Sequence, residues 1–201
     1  MRAAVGDRLD GVVACAGLGP QVDAWDTIVS LDYFGARATL AGLRDLLAAG
    51  DAPAAVAISS NSSSLPGADG PICVACLADD ETEARRLALA ESGQAAYASS
   101  KRALALWVRR HAHTPDWAGT GIRLNAVAPG AVMTPLLRAG LAHPIYGDAI
   151  RGFPIPTGGF GTAEDVAATV GFLLGPDARF FCGSVVFCDG GSDAMLRPDA
   201  Y

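Results

Sequence analysis

Tyr97 and Lys101 stand four residues apart in a stretch of helical pattern. Their side chains therefore leave the same helix face, about 5–6 Å apart. A free phenol ionises near pH 10 and is a poor proton carrier at neutral pH. An ammonium fixed at roughly 5 Å favours the phenolate by about 3 kcal/mol at an effective dielectric of about 20. That makes Tyr97 a candidate general acid and base. The spacing alone equally describes two solvated helix residues, so its company matters. Ile58-Ser59-Ser60 closes an apolar run and places hydroxyls at the carboxyl edge of a sheet, where ligands of open α/β sheets bind. Ser60 can donate to a substrate carbonyl there, or serve as a turn or cap residue. Asn125 to Thr134 (NAVAPGAVMT) follows the next strand. Its Pro129-Gly130 fixes a turn that turns backbone groups and the Thr134 hydroxyl toward a planar ligand.

The elements that must position these residues are legible as short apolar runs. Leu9–Cys15, Ala54–Ile58, Ile122–Val127 and Ser184–Cys188 each stop at Gly, Pro or Ser. Runs that are apolar throughout predict parallel strands covered on both faces. Helical spacing predicts helices over 27–49, 95–111 and 162–174, the last opening with a capping-box-like Thr162 and Asp165. Strands alternating with helices imply a doubly wound α/β fold in a single domain, residues 1–201. Two stretches break the rhythm. Residues 64–94 have the size of an insertion and include a charged helical piece, 79–86. Residues 134–159 mix apolar side chains with prolines and glycines, the pattern of a substrate lid.

Composition bounds the partners. The 201 residues carry a net charge of −6 without any Lys/Arg block, which argues against nucleic acid and anionic membranes. No apolar run approaches the length of a membrane span. Charged residues are only 18%, below the usual quarter, which suggests surface buried against further copies of the chain. Five cysteines without regular spacing suit a reduced, cytoplasmic protein. Cys73 and Cys76 lack a second ligand pair, so no metal site is expected. His111 and His113 end a helix, where cations complement the dipole, and Trp107 reads as core or interface.

Cys15-Ala16-Gly17, Ser60, Tyr97-Ala-Ser-Ser-Lys101, Pro129-Gly130 with Thr134, and the closing Asp189-Gly190-Gly191 occur in this order. In this the chain resembles the short-chain dehydrogenase/reductase family, and within it the bacterial hydroxysteroid dehydrogenase/carbonyl reductase branch. The closer match lies in Cys15–Pro20, Asp32–Ala36 and Pro129–Gly140. The resemblance implies a Rossmann-like fold and an oxidoreductase interconverting a secondary alcohol and a ketone, with hydroxysteroids the first substrates to try. It implies a nicotinamide cofactor, NAD or NADP with NAD favoured, and a homo-oligomer. Ser60, Tyr97 and Lys101 would be catalytic: Tyr97 exchanging a proton with the substrate oxygen, Lys101 binding the nicotinamide ribose, Ser60 orienting the carbonyl. Cys15, Ala16 and Gly17 would meet the adenosine side. Pro129, Gly130, Val132 and Thr134, with Tyr97 and Lys101, would cradle the nicotinamide.

The sequence departs from that pattern in two places. The family's Gly-rich phosphate turn, Thr-Gly-x-x-x-Gly-x-Gly, is absent, and Gly17-Leu-Gly19 reads as a turn. The resemblance thus implies a fold truncated at its amino terminus by two βαβ units, on the order of 60 residues. On that expectation Met1 is an internal methionine of a longer protein, and 11–14 become an exposed apolar edge. The second departure is Asp32, which stands where the family usually has an Asn that organises a proton-relay water. The alternative to an enzyme is a catalytically inactive fragment of the same fold acting as an interaction module. An enoyl reductase of this fold would space its Tyr and Lys more widely.

Overall fold

Strands β1 (Gly11–Ala14), β2 (Ala54–Ile58), β3 (Arg123–Pro129) and β4 (Val185–Cys188) pair in parallel, in chain order, as one four-stranded sheet. The computed structural model describes residues 6–200, so the reading of Met1 lies outside the described residues. Register is set by pairs such as Val13 with Val56, Val56 with Asn125, and Val127 with Val186. Because every strand runs the same way, Cys15, Ser59, Gly130 and Asp189 emerge at one edge.

Alternation along β2 assigns its faces. Ala55 and Ala57 join the larger core with Leu40, Leu47, Leu104 and Ile28, while Val56 joins Val127 and Leu173 on the other side. The larger core is built by α1 (Trp25–Val29), a π-helical stretch Ser30–Gly35, α2 (Ala36–Ala48) and α5 (Gly93–His111). The smaller is covered by α8 (Ala163–Leu174), whose capping box between Thr162 and Asp165 is formed as expected. Small residues in β2 let these layers approach closely. Ala54 to Ala57 are fully buried.

Two expectations need adjusting. The helix expected over 27–49 is continuous but changes to π geometry at Ser30–Gly35, which a 3.6-residue period cannot reveal. The expectation of strands covered on both faces holds for β2 but not for β1. Val12 and Ala14 are buried, whereas Val13 is 37% exposed, because α8 packs over β2, β3 and β4 instead.

Residues 64–94 fold as α3 (Pro71–Leu77) and α4 (Glu81–Ala90), and Ile72, Cys73 and Cys76 enter the larger core. Burial pushes the Cys73 thiol up and the Cys76 thiol up to about 12, so both stay protonated at neutral pH. Residues 134–159 form α6 (Pro135–Ala142) and α7 (Gly147–Arg151). Trp107 is a core residue, edge-on to Trp117 and stacked on His111.

Arg123 closes the carboxyl end of α8. Its guanidinium donates to the carbonyls of Leu173, Leu174, Gly175 and Ala178 at 2.8–3.2 Å, meeting acceptors that a helix end leaves open. Arg123→Met should destabilise the fold by about 2 kcal/mol. Urea unfolding with an unshifted midpoint would show these contacts to be idle.

Candidate active site

The site is assembled where β1, β2 and β3 end beside the first half of α5. Ser92 caps α5 by accepting from the backbone N–H of Ala95, which fixes where the helix begins. Lys101, two turns in, is only 4% exposed. A buried ammonium needs partners. It donates to the Ile58 carbonyl at 3.0 Å and lies 3.5 Å from Asp32 Oδ2. Its Nζ is 5.8 Å from the centre of the Tyr97 ring.

Asp32 is fully buried in the π-helical stretch. Its Oδ1 accepts from the Leu18 backbone N–H at 2.8 Å, while its Oδ2 accepts no hydrogen bond among the described residues. Burial pushes this carboxyl up from its ordinary value, and the Lys101 charge and the Leu18 N–H pull it back only in part.

The two serines after β2 divide their work. Ser59 donates its hydroxyl to the Lys101 carbonyl at 2.8 Å, tying strand to helix. Ser60 caps the short 3₁₀ turn Asn61–Ser64, its oxygen accepting from the Ser62 N–H at 3.1 Å. A hydroxyl so engaged keeps its proton available for donation. The far end of that turn is held by Asp193, which accepts from the Ser64 hydroxyl and from Arg197.

Two cavities meet at this point. One, of about 600 Å³, is lined by Cys15, Gly17, Ser59, Tyr97, Lys101, Pro129, Gly130, Val132 and Thr134, with apolar residues of α8 opposite. The other, of about 370 Å³, is lined by Ser60, Asn61, Tyr97, Gly130 and apolar residues of α6 and α7. Tyr97, Gly130, Leu136 and Leu137 line both. Of the residues singled out by sequence, Ala16 lines neither cavity. Ser59, Ile58 and Leu18 were not singled out as site residues and make direct contacts within the site. Of these, only a strand-end position marked Ser59 in advance.

Gly130 is required by packing. A Cβ there would come 2.7 Å from both Cα and Cβ of Asp189, where the ends of β3 and β4 approach. Gly130→Ala should therefore push the two strand ends apart and lower the melting temperature by several degrees, an effect of about 1–3 kcal/mol. Calorimetry showing no change would mean the loop relaxes freely.

A family profile described as Enoyl-(Acyl carrier protein) reductase matches residues 82–193. The 3-alpha-hydroxysteroid dehydrogenase/carbonyl reductase of Comamonas testosteroni is 41% identical over 197 residues, spanning 96% of this chain and 76% of that one. This chain belongs to the short-chain dehydrogenase/reductase family. It is an oxidoreductase of that family. The crystal structure of the 3-alpha-hydroxysteroid dehydrogenase from Pseudomonas sp. B-0831, complexed with NADH, superposes with a TM-score of 0.96 at 44% identity, covering 100% of this chain and 79% of that one. The cis-4-hydroxycyclohexanecarboxylate dehydrogenase of Sinomonas cyclohexanicum is 31% identical over 93% of this chain and 67% of its own length.

The family works with a nicotinamide cofactor, and the larger cavity fits one end of it. Gly17 is the telling residue, since a Cβ there would stand 3.2 Å from both Asp32 Oδ1 and Lys101 Nζ. Its missing side chain leaves room for a group to reach the ammonium. Lys101 is the charged side chain in that lining, and its ammonium offers donors that a nicotinamide ribose would accept. Among the described residues, no group of three His, Cys, Asp or Glu is placed to hold a metal ion, and no helix is long and apolar enough to cross a membrane.

Proposed function

We propose that the chain interconverts a secondary alcohol and a ketone on an apolar small molecule, with a hydroxysteroid as the leading substrate class and NAD as the preferred cofactor. The carrying observation is that Tyr97 lines both cavities, with Lys101 in one and Ser60 in the other. A bound nicotinamide would supply or accept the hydride at the carbonyl carbon. Cys15, Ala16 and Gly17 would border it on the adenosine side; Pro129, Gly130, Val132 and Thr134 would flank the nicotinamide, and Lys101 would bond its ribose.

The chain's own residues handle the oxygen. In ketone reduction Ser60 donates a hydrogen bond to the carbonyl oxygen and stabilises the charge that develops there. Tyr97 releases its hydroxyl proton to that oxygen, giving the alcohol, and is reprotonated from water. Oxidation runs the same path in reverse, with Tyr97 taking the alcohol proton. Leu136, Leu137, Ile150 and Phe153 supply an apolar wall, and residues 134–159 act as the lid. The relatives' names, and the NADH of the Pseudomonas structure, support the substrate class and the cofactor preference.

The same reading makes the protein a cytoplasmic homo-oligomer. Phe172, Phe180, Phe181 and Met195 are exposed, with Phe180 fully so, and they supply apolar area for contact between copies. The test is loss of reduced-cofactor absorbance with a 3-ketosteroid, comparing NADH with NADPH. Ser60→Ala should lower kcat about a hundredfold. Undiminished turnover would remove Ser60 from the mechanism.

A further inference from the structure

A carboxylate buried against the one lysine that faces the candidate proton donor asks for a role. We propose that Asp32 is a positioning residue that acts on Tyr97 through Lys101: its ionised carboxylate offsets part of the lysine's field, so Tyr97 remains a proton donor to higher pH than Lys101 alone would allow. This inference rests on Tyr97 being the proton-transfer group.

The geometry carries it. Buried Asp32 Oδ2 faces buried Lys101 Nζ at 3.5 Å, and Nζ lies 5.8 Å from the centre of the half-buried Tyr97 ring, so the ammonium is within reach of both. Among the described residues, no other cation pairs with the carboxylate. From the turn after β1 it meets the Leu18 N–H, and from α5 Lys101, whose ammonium also donates to the Ile58 carbonyl of β2. The charged groups on neighbouring elements are engaged elsewhere. Glu81 of α4 accepts from the Ser30 hydroxyl, Asp26 of α1 pairs with Arg85, and Arg37 of α2 pairs with Asp79. Tyr33, next in the chain, packs edge-on to Phe34 in the core.

The consequence is directional. Reduction needs the phenol, and oxidation needs the phenolate. A negative charge within about 9 Å of the ring, by the two distances above, favours the phenol by an amount worth about one pH unit at an effective dielectric of about 20. The buried pair therefore widens the range in which the site donates a proton to a carbonyl. Gly17 packs close to both partners, and a Cβ there would stand 3.2 Å from Asp32 Oδ1 and from Lys101 Nζ.

The test uses the intact, ligand-free chain. Tyrosinate absorbance is followed against pH, and the Tyr97 signal is taken as the difference between each protein and its Tyr97→Phe counterpart. In Asp32→Asn the Tyr97 signal should come in about one pH unit lower than in the unchanged chain. An equal or higher onset in a folded Asp32→Asn protein would overturn the proposal. Should Asp32→Asn not fold, the Asp32 carboxyl ¹³C signal of the unchanged chain decides. The proposal requires an ionised carboxylate at pH 7, and a carboxyl still protonated there would overturn it. Neither measurement needs turnover, so failure here is distinguishable from failure of Tyr97→Phe to lose activity, which would instead remove the catalytic reading.

Discussion

Tyr97→Phe should lower kcat for ketone reduction about a thousandfold, within the range by which a positioned general acid accelerates proton transfer. The change should leave the fold almost untouched. The Tyr97 ring packs against the larger core, a part that Phe retains, and its hydroxyl makes no hydrogen bond among the described residues. Affinity for reduced cofactor should likewise hold, because the ring still borders the larger cavity. The measurement is steady-state reduction of a 3-ketosteroid beside a thermal melt and a cofactor titration. A thousandfold loss with an unshifted melt isolates the chemistry. Near-normal turnover would mean that another group carries the proton.

Lys101→Met should combine a catalytic and a structural effect, and the two can be separated. Removing the ammonium strands Asp32 in the core, an event that costs about 3–5 kcal/mol when one partner of a buried pair is lost. It also leaves the Ile58 carbonyl without its donor. Turnover should fall at least a hundredfold, because the charge that stabilises the developing phenolate is gone. The double variant Lys101→Met with Asp32→Leu removes both charges. It should recover much of the lost stability, since a buried pair replaced by apolar side chains leaves no lone ion. Turnover should not recover. Urea unfolding and the reduction assay on the three proteins check this. A double variant no more stable than Lys101→Met would mean that the pair is not the source of the loss.

Much of this arrangement was legible in the sequence, for identifiable reasons. β2 is apolar on both faces because it lies between two helical layers, so its continuous run marks it. Thr162 and Asp165 marked the start of α8 because a capping box is local chemistry that tertiary packing does not override. Tyr97 and Lys101 lie on one helix and line the same cavity, as their spacing together with the neighbouring strand-end motifs implied. What stayed hidden depends on non-local geometry. The π-helical turn that carries Asp32 toward Lys101 has no periodic signature. Ser59 and Ser60 are adjacent and chemically alike, and only the approach of α5 assigns one to the Lys101 carbonyl and the other to the smaller cavity. Ala16 sits between two residues that line the larger cavity without lining it itself. The contact between Asp193 and Ser64 spans 129 positions, and nothing in the local pattern of either residue announces it.

The central claim is that the larger cavity receives a nicotinamide in contact with Lys101 and beside Tyr97. Calorimetric titration of the purified 201-residue chain with NADH, and then with NADPH, tests it most directly. The account predicts saturable binding of NADH at micromolar concentration, abolished or much weakened by Lys101→Met. A folded sample that takes up neither cofactor would contradict it.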